Sequence, residues 1–139
     1  MPNTLRRIYR ETLESFNSDS FTLCAAGLRA IIEGICSDRQ VVDGPVQVTH
    51  KDGTIHTERR RNLAAKIAGL CERGFLTEGN ATSLHEHRFL GNEALHELDR
   101  PSRDELALAI DIMEHTLEDL YDMPDKAAEL RRIKSQRKS

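Results

Sequence analysis

The sequence predicts an all-α fold. Aromatic residues make up only 4% of it and Trp is absent, so the core has to be built from Leu, Ile and Ala, which suits helices better than a sandwich. Apolar residues also recur at helical spacing through most of the chain. The helical period disappears in one stretch, from Ser37 to Thr57. At 139 residues the chain fits one domain.

Helix 1 is expected over about Thr4 to Phe16, from the stripe Leu5, Ile8, Tyr9, Leu13 and Phe16. Asn17 to Ser20 is a break rich in N-cap residues. Helix 2 follows over about Phe21 to Cys36, burying Phe21, Cys24, Leu28, Ile31, Ile32 and Ile35. Gly27 and Gly34 suit close helix approach there, and Arg29 and Glu33 stand at ion-pair spacing. In the aperiodic stretch, Val46 to Thr49 and Thr54 to Thr57 flank Asp52-Gly53, a hairpin-turn signal. A short β-hairpin or ordered loop is therefore inserted between helices 2 and 3.

Helix 3 should span about Arg60 to Arg73 and stop at Gly74, with Thr77 to Asn80 as a turn. Helix 4 should span about Thr82 to Glu97. Helix 5 should open on the capping box Ser102-Arg103-Asp104-Glu105, run to Tyr121 and be closed by Pro124. Residues 1–124 thus form the helical domain, and 125–139 a basic C-terminal tail or weak helix.

Net charge is −3, which argues against a general nucleic-acid coat. The charge is segregated, though: Arg59, Arg60 and Arg61 form a basic knot, and Arg131 to Lys138 is basic beside an acidic Asp104 to Asp125. The knot and tail could contact phosphates, or simply be solvated. No apolar run approaches the roughly 20 residues of a membrane span, and the N-terminus is not signal-like. The odd cysteines, Cys24, Cys36 and Cys71, fit buried hydrophobes of a reducing compartment, so the expected location is the cytoplasm.

The candidate site lies in helix 4. Arg88, Asn92 and His96 step by four and stack on one face, beside an apolar stripe of Leu84, Gly91 and Leu95. A guanidinium, an amide and an imidazole on one face suit a metal-independent site for RNA or another phosphodiester. His96 would move protons, Arg88 would hold the phosphate, and Asn92 would orient either. The structural alternative pairs Arg88 with a carboxylate such as Glu33 and leaves Asn92 and His96 to neighbouring backbone. A zinc site from His85, His87, His96 and Cys71 is not expected, because His85 and His87 point about 200° apart on one helix. No cofactor motif is present. His50 and His56 flank the hairpin turn and fit exposed hairpin histidines.

Three stretches, Leu28-Arg29-Ala30-Ile31-Ile32-Glu33, then Arg88-Phe-Leu-Gly91-Asn92-Glu-Ala-Leu-His96, then Pro101-Ser102-Arg103 opening a long helix, resemble the domain-of-unknown-function family DUF4145. That family looks like a branch of the HEPN (higher eukaryotes and prokaryotes nucleotide-binding) superfamily. The resemblance covers roughly Phe21 to Tyr121. It implies an all-α HEPN-like bundle of about five helices, frequent homodimers, and gene neighbourhoods of phage-defence and restriction systems. Many HEPN relatives are ribonucleases with an Arg, four to six residues, then a His, paired across a dimer. Carried over, Arg88 and His96 take those roles, with Asn92 between them and Glu33 and Arg29 as helix 2 companions. Here seven residues separate Arg88 from His96, which departs from that pattern. Other HEPN-like domains are inactive and serve for binding or dimerisation, with a partner protein from the same operon, a nucleotide or nucleic acid as ligand.

Overall fold

The computed structural model describes residues 1–97 and 100–138. Its elements are α1 (Asn3–Asn17), α2 (Phe21–Asp38), β1 (Gly44–Thr49), β2 (Ile55–Arg60), α3 (Leu63–Glu72), α4 (Glu78–Asn92), α5 (Arg103–Leu117) and α6 (Met123–Lys138). Single π-helical turns follow α4 at Glu93–Glu97 and α5 at Glu118–Asp122. The fold is an all-α bundle with one hairpin insert.

α2 is the axis of the bundle, touching α1, α3, α4 and α5. Its sequence dictates this: a helix apolar nearly all round must be surrounded. Cys24, Ala25, Leu28, Ile31, Ile32, Ile35 and Cys36 are all buried. Each large aliphatic among them contributes about 1.5–3 kcal/mol by leaving water. Gly27 and Gly34 lie against Thr12 and Leu5 of α1 with no room for a Cβ, so α1 and α2 do approach closely at these two positions. Burial pushes the Cys24 thiol up to about 11 and the Cys36 thiol up to about 12, so both stay protonated and act as hydrophobes.

The aperiodic stretch is an antiparallel hairpin in the register Gly44↔Arg60 to Thr49↔Ile55. Asp52 Oδ1 accepts from the Thr54 N–H (3.0 Å) and hydroxyl (2.6 Å), and Gly53 takes φ +87°. That is the chemistry the Asp-Gly pair predicts. The hairpin leans on α3, where Gly44 meets the backbone of Ala65 and Gly69.

Element boundaries shift where caps decide them. Arg59 and Arg60 end β2 instead of opening a helix, and α3 starts after Asn62, whose side chain accepts from the Ala65 N–H (2.9 Å). The expected turn at Thr77 to Asn80 is the capped first turn of α4, Thr77 accepting from the Asn80 N–H (3.1 Å). The Ser102/Glu105 capping box forms as expected. Pro124 does not close α5: helical backbone runs on into α6 through the wider π turn before it. A π turn is a common way for a helix to absorb a break in its hydrogen-bond ladder. The basic tail is thus the exposed helix α6; Ser139 lies outside the described residues. So do Leu98 and Asp99, just beyond the expected end of helix 4.

Candidate functional site

Three helices meet at the site. Gly91 brings α4 onto α2: a Cβ there would sit 2.8 Å from Arg29 Cβ and 3.3 Å from the Ala25 carbonyl oxygen. That close approach lets Arg29 Nη1 donate to Asn92 Oδ1, tying α2 to α4. Arg88 lies one turn before Asn92. Its guanidinium stands 4.3 Å from the Phe89 ring centroid, while its Nε is buried without a hydrogen-bond partner. Burial first, and then the charge of Arg29, lower the Arg88 pKa. The third wall is the start of α3, with Asn62, Leu63 and Ala64. First-turn N–H groups at Leu63 and Ala64 have no intrahelical acceptor.

Arg29, Arg88, Asn92 and His96 line one cleft of about 250 Å³ with these α3 residues. Among the described residues, its lining holds two guanidiniums, the partly positive end of a helix, an imidazole and no carboxylate. Two cations held side by side without a counter-charge are costly unless an anion completes them. The arrangement can hold a phosphate through forked donors.

The expected single α-helical rod is corrected in one respect. α-Helix ends at Asn92 and His96 sits in the following π turn. This turn advances fewer degrees per residue, so it shifts the phase of the apolar stripe. Leu84 and Gly91 are buried as expected, but Ala94 takes the inward place and Leu95 is 47% exposed. His96 is exposed at the cleft and still shares it with Arg88 and Asn92.

Glu33 lies outside the cleft. It pairs with Lys66 of α3 (3.5 Å), so neither the expected Arg29–Glu33 pair nor an Arg88–Glu33 pair forms. Arg88 makes no ion pair among the described residues. In the basic knot, Arg59 is held by Asp43 (2.6 Å) and Glu72 (3.0 Å), and Arg60 by Glu58 (2.9 Å). Arg61 is exposed beside Asn62 at the cleft's edge. The part of α3 in the site went unread in the sequence, although Asn62 as an N-cap residue was a visible signal.

His87 is buried between α4 and α5, its Nδ1 2.7 Å from the Ser83 carbonyl oxygen and its Nε2 2.6 Å from that of Ala109. His85 points elsewhere, into a cleft it shares with Cys71. His50 and His56 stack on the hairpin, and His56 Nε2 meets Glu58 at 2.7 Å.

The family model described as Domain of unknown function (DUF4145) matches residues 10–134. The chain belongs to the DUF4145 family. Within this DUF4145 chain, the matched region takes in α2, the whole cleft and most of α6. Comparison with curated proteins and with solved structures gives no match. No helix among the described residues is long and apolar enough to cross a membrane.

Proposed function

We propose that this DUF4145 chain is a HEPN-like RNA-binding domain that cleaves a phosphodiester without metal. It would act in the cytoplasm within a bacterial phage-defence or restriction-associated system. The observation that carries the reading is the cleft in which Arg29, Arg88, Asn92 and His96 converge, with no carboxylate among the described residues that line it. Arg88 and Arg29 hold the non-bridging phosphate oxygens and offset the charge that grows on them. His96 takes the proton from the ribose 2′-hydroxyl as that oxygen bonds to phosphorus. The bond from phosphorus to the 5′-oxygen breaks, and that oxygen takes a proton from an imidazolium or from water. The products are a 2′,3′-cyclic phosphate and a free 5′-hydroxyl.

A second reading has its own support. One imidazole lines the cleft, where in-line transfer uses both a base and an acid. The same cleft would then bind the phosphate of a nucleotide or nucleic acid without cutting it, or serve a partner protein.

Labelled single-stranded RNA incubated in chelator with wild type, His96→Ala and Arg88→Ala tests both readings. Cleavage by wild type that is lost in both variants supports the first. Cleavage that survives both substitutions removes it. Binding without cleavage, weakened by Arg88→Ala, establishes the second.

A further inference from the structure

α6 is a helix of 16 residues with no buried residue, and among the described elements it touches only the π turn that precedes it. An isolated helix of that length is marginal in water, and its stability normally comes from a packed face. Leu130 and Ile133 stand 54% and 49% exposed on it, among Arg131, Lys134 and Arg137.

A complementary surface lies at the other end of the same rod. Between α4 and α5 runs an open groove of about 240 Å³, floored by Leu90, Leu108 and Ile112 and rimmed by Glu86 and Glu105. Leu108 is 66% and Ile112 39% exposed, and Asp104 and Asp111 flank them. One surface is apolar with a basic border, the other apolar with an acidic border.

We propose that α6 docks in the α4–α5 groove of a second copy of this chain, reciprocally, so that two α5–α6 rods lie antiparallel. The spacing along the rod supports a second copy as the occupant. Leu108 and Ile133 stand about equally far from the rod's midpoint at Leu120–Tyr121, and so do Ile112 and Leu130. A twofold axis there brings each apolar pair together, and it sets Arg137 opposite Asp104. This is the self-complementarity of an isologous interface. RNA is the poorer occupant, because α6 places aliphatic side chains, and no aromatic, among its cations. The proposal goes beyond the phosphodiester reading and depends on none of its chemistry.

Sedimentation of the full chain at micromolar concentration tests it, together with circular dichroism. Wild type is expected as a dimer. The double variant Leu130→Glu/Ile133→Glu is expected as a monomer with reduced helicity and an intact cooperative melt, since neither residue is in the core. Arg137→Glu should weaken the dimer at least tenfold, and Asp104→Lys in the same chain should restore it. A wild-type monomer overturns the proposal, as does a dimer indifferent to the double variant. A monomer that uses α6 only to bind RNA or another protein overturns it equally.

Discussion

Arg29 donates through Nη1 to Asn92 Oδ1, and this hydrogen bond joins the central helix to the helix that carries the candidate site. The bond engages the amide oxygen with one guanidinium and leaves the buried Nε of neighbouring Arg88 without an acceptor among the described residues. The cleft is therefore set for an anion, and a carboxylate introduced there should take the anion's place. Asn92→Asp is expected to leave the thermal midpoint equal or higher, while RNA affinity falls about tenfold or more, roughly 1.4 kcal/mol. Paired melting and anisotropy measurements check this. Unchanged affinity would show that RNA phosphates do not enter the cleft.

Gly91→Ala sets two effects against each other. Alanine gains about 1 kcal/mol of helix propensity over glycine. Its Cβ, however, meets Arg29 Cβ at 2.8 Å, an atom close to the backbone that cannot swing away. Overpacking costs typically about 1–3 kcal/mol. The variant should lose stability on balance, with the Arg29–Asn92 bond displaced, as urea titration and RNA affinity together would show.

His87 is 1% exposed and fastens α4 to α5 by facing carbonyl oxygens on both helices. Truncation to alanine opens a cavity and removes both contacts. The expected loss is about 2–4 kcal/mol by chemical denaturation. RNA affinity should fall too, because Arg88 is the next residue on the same helix.

His85 gives a signed pH dependence. Burial, and then the charge of Arg88, lower its pKa from the usual 6.5. The unfolded chain then binds this proton more readily than the folded one, so stability falls as pH drops below about 6.5. His115 acts in the opposite sense, because its bond to the Asp111 carbonyl and the Asp111 charge raise its pKa. The readout is therefore a difference: His85→Gln should lose less stability than wild type between neutral pH and pH ~5. Parallel curves for the two proteins would contradict the assignment.

Local chemistry made much of the fold legible. Asp52-Gly53 announced the hairpin, Ser102 and Glu105 the start of α5, and the Ile31-Ile32-Ile35 run a helix enclosed by others. The π turns were not legible, since no residue type signals a turn widened by one residue. That is why the α-helical stripe of Leu84, Gly91 and Leu95 placed Leu95 inward where Ala94 lies. Pro124 was misread for the same reason. In the site, Arg88, Asn92 and His96 were visible as a stack, and their meeting with Arg29 needed only one close approach at Gly91. Partners from distant elements had no such signal: Lys66 reaches Glu33 from α3, and Asp43 and Glu72 hold Arg59. Those pairings arise from tertiary packing, which periodicity along one helix does not encode.

The most direct test is the salt dependence of single-stranded RNA binding by wild type and by Arg29→Gln/Arg88→Gln. If both guanidiniums contact phosphates, the slope of log affinity against log salt should become shallower by about 1.4, at about 0.7 per phosphate contact. An unchanged slope with unchanged affinity would mean that the cleft does not receive RNA.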